Sequence, residues 1–196
     1  TEAAVRHLIS LGHRRIGLAT GPARLTPSAR KIAGFNQATI RWQAEEAPVY
    51  VGDFSVESGA AAAVHLAEQG CTGIITASDF IALGVIRGVR SLCLDVPADI
   101  SVVGFGGSPI TAFTDPPLTT FLQSTERIAN AAVRSLLEEI ERTPPPRQEL
   151  LFEDHLVVRE STGPVPPHPR RRYQPYSDAG GPAGERAMIS AAGERR

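Results

Sequence analysis

The sequence predicts an α/β chain: an open parallel sheet with helices on both faces. Three observations carry that prediction. Short, apolar, β-branched runs recur four times along the first 105 residues. They are continuously apolar rather than alternating, as strands covered on both faces must be. The segments between them are long enough and periodic enough to be helices, and parallel strands need such crossovers.

The elements follow in order. Residues 1–11 read as a helix, with Ala4, Val5, Leu8, Ile9 and Leu11 on one face and Gly12 to end it. Residues 15–20 (RIGLAT) form the first strand, broken by Gly21 and Pro22. Residues 28–42 give a second helix and residues 49–54 a second strand. Ser55 is placed to cap a helix over 56–69. Residues 73–77 (GIITA) are the third strand, and Ser78 or Asp79 can cap a helix over 80–92. Residues 100–105 (ISVVGF) are the fourth strand. A proline turn at 115–117 leads into an extended run ending at Gln123. Ser124 or Thr125 caps an amphipathic helix reaching Arg142, stopped by Pro144–Pro146. Residues 149–159 read as one or two strands, and from Pro164 the proline-, glycine- and arginine-rich composition predicts a disordered tail.

Bulk properties exclude several classes. A formal net charge of −1 argues against direct nucleic-acid binding by this chain. Arg170–Arg172 with Tyr173 could touch nucleic acid or an acidic partner, but a solvated tail is the preferred reading. Cys71 and Cys93 are too few for a disulfide framework, lack Cys-x-x-Cys spacing, and are expected to be buried, inert thiols. The five histidines show no metal-ligand spacing, so no metal or cofactor is expected. No apolar stretch approaches the roughly 20 residues of a membrane helix, and no signal peptide opens the chain, which suggests a cytoplasmic protein with no membrane partner. No nucleophile with its base, no P-loop and no G-x-G-x-x-G after a strand is visible, so an enzyme is not expected. The first residue is Thr1, which suggests a fragment, a trimmed chain or a gene model with a wrong start.

In open parallel sheets, ligands lie outside the carboxyl ends of the strands. That rule selects residues 20–26, 53–55, 77–79 and 106–108. Asp53 could accept hydrogen bonds from ligand hydroxyls, or brace its own loop. Asp79 could face ligand, or serve the helix start, where a carboxylate is favoured by orphan N–H groups.

Six segments in register carry a family resemblance: AVRHLISLGHRRI (4–16), GDFS with ESG (52–59), ASD with ALG (77–84), VPADISVVGF (96–105), DPPLTT (115–120) and VVREST (157–162). Over about residues 3–163 they resemble the effector-binding domain of the LacI/GalR (lactose repressor/galactose repressor) family. The resemblance implies a Rossmann-like lobe of a type I periplasmic-binding-protein fold, with the first lobe largely missing. Residues 1–123 and 147–163 would form the second lobe, 124–146 the helix returning to the first, and 164–196 the tail. It also implies a small-molecule effector, a sugar, nucleoside or relative, and a homodimer. Operator DNA would be reached only through a headpiece absent from this chain. A transporter's sugar-binding protein of the same fold, or a degenerate remnant that binds nothing, are the alternatives.

Site residues follow from the same resemblance. Phe54 stands where family members stack an aromatic ring on the ligand; otherwise it is a hydrophobic plug. Lys31 replaces the family's arginine, with Arg30 beside it as a possible substitute. Ser78 replaces an asparagine, and Gly106 an aspartate. Family members pair through the helix after the third strand, which nominates Leu83, Ile86 and Arg87 for a dimer contact.

Overall fold

The computed structural model describes residues 1–45, 47–141 and 149–165. Among the described residues five α-helices and six strands follow in the order α1 (Glu2–Ser10), β1 (Ile16–Thr20), α2 (Thr26–Arg41), β2 (Val49–Val51), α3 (Val56–Glu68), β3 (Gly73–Thr76), α4 (Asp79–Ser91), β4 (Ser101–Gly106), β5 (Thr119–Leu122), α5 (Thr125–Ile140) and β6 (His155–Val157). A short 3-10 turn, Pro109–Ala112, precedes β5. The sheet order is β2-β1-β3-β4-β5-β6. β1 to β5 are parallel, and β6 pairs antiparallel to β5, with Phe121 opposite Leu156. The predicted parallel α/β architecture is the observed one.

The core lies on both sheet faces, as continuously apolar strands require. On one side α3 and α4 cover Ile74, Val102 and Leu118 with Ala62, Leu66, Val85 and Val89. On the other, α1 and α2 bring Val5, Leu8, Phe35 and Ala38 onto Leu18, Ile75, Val103 and Phe121.

Several boundaries differ from expectation for local reasons. Helix α2 starts at Thr26, two residues early, because Pro27 fits the first helical turn, where its missing N–H costs nothing. Strand β2 stops at Val51: after the Gly52 amide bonds the Thr20 carbonyl at 2.9 Å, the chain leaves the sheet. The 149–159 segment pairs only over β6. Cys71 is buried as expected, but Cys93 is exposed, because it sits in the turn after α4 with φ +57. Val165 still belongs to the ordered body, its amide bonding the Leu11 carbonyl at 3.0 Å. The tail from 166 to 196, and the Pro144–Pro146 helix stop, lie outside the described residues.

Ile86 corrects the dimer expectation. It is 5% exposed and belongs to the α3–α4 core. Helix α4 is apolar on two sides because the sheet covers one and α3 the other. Leu83 remains half-buried and Arg87 exposed. Helix α5, by contrast, has no buried residue, and Val133, Leu136, Leu137 and Ile140 are exposed along its apolar stripe.

The end of the sheet away from the strand tips is tied by His13. Its Nε2 lies 3.0 Å from the Gly163 carbonyl, which can only accept, so Nε2 carries the proton. Nδ1 therefore accepts from the Thr72 hydroxyl at 2.9 Å. Burial holds His13 below its ordinary value of 6.5, and the same cause lowers His7, which bonds Thr162. The folded state thus refuses a proton that the unfolded chain accepts. This contribution to stability is complete above about pH 6.5 and is lost as pH falls below it. Thermal unfolding should show a lower Tm at pH 5.5 than at pH 7.5, and a weaker pH dependence in His13→Gln. A Tm independent of pH over this range would refute the assignment.

Candidate functional site

The strand tips converge on one cleft of about 240 Å³. Helix α2 contributes Pro27, Ser28 and Lys31, and the loop after β2 contributes Phe54. Ala77 and Ser78 follow β3, Phe105 lies on β4, and Gln123 follows β5. Parallel strands all end at one edge, so residues far apart in sequence meet there.

Three of the expected residues line this cleft: Lys31, Phe54 and Ser78. Phe54 is 42% exposed, and its ring lies over Gly21, where a Cβ would come within 2.4 Å of the ring edge. The Gly21-Pro22 break therefore also makes room for the aromatic ring. Lys31 extends along the cleft with its ammonium 3.4 Å from the centre of the Phe105 ring, a cation–π contact. Burial lowers the Lys31 pKa, and the charge of Asp154 works against that shift. Ser78 is the N-cap of α4: its hydroxyl oxygen accepts from the Ile81 amide at 3.2 Å. Its O–H proton remains free to donate into the cleft.

The other expected residues sit elsewhere. Arg30 points away and pairs with Glu149, so it does not replace a guanidinium in the cleft. That follows from helical geometry, since adjacent residues diverge by about 100°. Asp53 braces its own loop: its carboxylate accepts from the amide and the hydroxyl of Ser55. These bonds, the hydroxyl's first, lower its pKa. Ser55 in turn caps α3, as expected, by accepting from the Ser58 amide at 3.0 Å.

Asp79 is buried and turned inward, not onto its own helix end. It accepts from the Ser108 amide at 2.8 Å and from the Thr120 hydroxyl at 2.6 Å. The expectation that it caps α4 is corrected: Ser78 does that, and Asp79 joins the loop after β4 to β5. Gly106 ends β4 with φ +134, a conformation that disfavours a side chain. A Cβ there would stand 3.0 Å from Asp79 Oδ2, so Gly106 lies beside Asp79, behind the cleft's lining.

Sequence reasoning passed over Pro27, Ser28, Phe105 and Gln123. Gln123 is the first residue past β5, but from sequence its run reads as extended chain rather than as a fifth parallel strand. Ser28 and Pro27 lie just beyond the window inspected after β1.

Among the described residues no group of three or more His, Cys, Asp or Glu side chains could hold a metal. None of the described helices is long and apolar enough to cross a membrane. A second concavity, about 550 Å³, runs along α5 between Arg127, Asn130 and Arg134 and the Leu150–Phe152 stretch.

Comparison with known proteins agrees with this geometry. Residues 5–162 match the family described as periplasmic binding protein-like domain. An HTH-type transcriptional regulator from the aml 5′ region of Streptomyces limosus is 56% identical over 165 residues, covering 81% of this chain and 47% of the relative. The HTH-type transcriptional regulator MalR of Streptomyces coelicolor is 51% identical over 170 residues, covering 83% and 49%. The chain thus spans about half the length of the curated relatives it matches. Among solved structures, the dimeric Lac repressor superimposes with a TM-score of 0.77 at 31% identity, covering 84% of this chain and 61% of the repressor chain. The transcription regulator CcpA of Lactococcus lactis gives 0.77 at 25% identity, covering 82% and 60%. The chain belongs to the periplasmic binding protein-like family, in the form carried by LacI-family transcriptional regulators.

Proposed function

We propose that the chain is the effector-sensing and dimerising part of a LacI-type transcriptional regulator acting in the cytoplasm. One observation carries the reading: Phe54, Lys31 and Ser78, from three separate elements, meet in one cleft at the strand tips. An aromatic face with hydrogen-bond donors around it suits a small polyol, whose C–H groups meet the ring while its oxygens meet the donors. The relatives named above are transcriptional regulators, which weighs for regulation rather than transport.

In this reading a first lobe closes the cleft from the other side. The uncovered apolar stripe of α5 supports this, because a face of that size needs a cover. Effector binding then changes the angle between lobes, and with it the spacing of two DNA-reading headpieces. Operator DNA is contacted by those headpieces and not by residues 1–196.

A mobility-shift assay tests the whole reading. The full-length protein should bind a duplex from upstream of its own gene, and a small polar ligand should change that affinity by at least about 5-fold. Residues 1–196 alone should not bind it. Sequence-specific binding by residues 1–196 would sink the proposal.

Dimerisation is proposed through the outer side of α4. Phe80, Leu83 and Arg87 are spaced by three and four residues, so they share a face. Phe80 is 65% exposed, an unusual state for a phenylalanine in a helix otherwise well buried. Leu83→Arg in the full-length protein should shift sedimentation from dimer to monomer at micromolar concentration and leave ligand binding in place. A variant that stays dimeric would remove α4 from the interface.

A further inference from the structure

We infer that the cleft selects a ligand bearing an anionic group, a phosphate or a carboxylate, seated against Lys31. This deepens the effector reading and rests on it. The inference comes from what the polar groups around the cleft already do.

Lys31 brings a half-buried ammonium to the lining, and among the described residues it makes no hydrogen bond or ion pair. Its contact is the face of Phe105, which is attractive to a cation but supplies no acceptor. Burying an ammonium without an acceptor is costly, and its lowered pKa reports that cost. An anion set beside it would offset the cost more fully than a neutral hydroxyl could.

The neighbouring groups are of the same kind. Ser28, 1% exposed, lines the cleft, and its hydroxyl oxygen has no partner. The Ser78 hydroxyl has its oxygen engaged by Ile81 and its proton free. Helices α2 and α4 both begin at this cleft, and the positive ends of their dipoles add to the field.

Three carboxylates lie nearby, and none lines the cleft. Asp79 is held inward by Ser108 and Thr120. Asp53 is held outward by Ser55. Asp154 acts on Lys31 through its charge without forming an ion pair. The described cleft therefore offers donors and positive charge, with the Gln123 amide as its one neutral side chain that can also accept through a carbonyl oxygen.

Calorimetry on the full-length protein tests this with matched probes: glucose, glucose 6-phosphate, glucuronate, adenosine, adenosine monophosphate and inorganic phosphate. At least one anionic probe should bind roughly 10- to 100-fold more tightly than its neutral parent, the range of a hydrogen bond to a charged group. Lys31→Met and Lys31→Gln should erase that preference, and Lys31→Arg should keep it. Preference for the phosphorylated probes over glucuronate, or the reverse, identifies the anion. A neutral probe that binds as tightly as its anionic form overturns the inference and leaves the effector reading standing. So does an anionic preference that survives Lys31→Met. Silence from all six probes overturns both.

Discussion

Gly84→Ala should destabilise the chain by about 3 kcal/mol or more, beyond the usual range for overpacking a core. Alanine is the better helix former by about 1 kcal/mol, so local propensity alone predicts the opposite sign. The packing decides. A Cβ on Gly84 would lie 2.0 Å from the Val56 carbonyl oxygen and 2.8 Å from the Gly59 Cα. A Cβ on Gly59 would lie 2.2 Å from the Ile81 carbonyl oxygen, and one on Gly88 2.6 Å from the Ala60 carbonyl oxygen. Helices α3 and α4 therefore touch backbone to backbone, and neither can yield without lifting off the sheet. Gly34→Ala on α2 is the control. The nearest atom to its added methyl is the Thr1 Cβ at 3.7 Å, so it should stabilise by about 0.5–1 kcal/mol. Urea unfolding of the two variants gives both signs in one experiment. If Gly84→Ala were neutral or stabilising, the close α3–α4 crossing would be wrong.

The same crossing explains what the sequence could and could not disclose. Continuous apolar strands such as Ile74-Ile75 and Val102-Val103 announce themselves, because they must be covered on both faces. So do the Ser55 cap and the helix-ending Gly12, which depend on residues a few positions away. Ile86 is different. It is buried in the cluster that α3, α4 and the sheet build together, a long-range packing that no local pattern shows. A helix apolar on two sides was legible; which neighbour covered the second side was not. The site divides along the same line. Phe54 and Ser78 fall in the windows just past β2 and β3, and the family resemblance assigns them their roles. Arg30 was settled by Glu149, 119 residues away, which no local pattern reveals. Asp79 does open α4 as an acid in its first turn, but its partners, Ser108 and Thr120, come from a loop and a strand much later in the chain, so its inward turn has no local signature.

Those partners give Asp79 the second large effect. Asp79→Ala should cost roughly 1–3 kcal/mol, because it leaves the Thr120 hydroxyl buried and unpaired, while the exposed Ser108 amide is released to water. The Thr120 side chain is fully buried, so water cannot readily replace the carboxylate there. Asp79→Asn should recover most of the loss. Its carbonyl oxygen can accept from the Ser108 amide, whose direction is fixed, while its NH₂ donates to the Thr120 oxygen after that hydroxyl rotates. The functional consequence follows from where the bond ends. Gly106 and Gly107 both have positive φ, +134 and +73, and the chain just past β4 is held by the Ser108–Asp79 bond, the Gln123–Gly106 contact and the Thr111 bonds to the Ser108 carbonyl. Without Asp79 that loop should loosen beside the cleft, while the α3–α4 core keeps its packing. Hydrogen exchange separates this from global unfolding: the Ser108 amide should lose protection in Asp79→Ala under conditions where Ile75 and Val102 keep theirs. Uniform loss at all three amides would mean that Asp79 supports the fold as a whole rather than the edge of the ligand site.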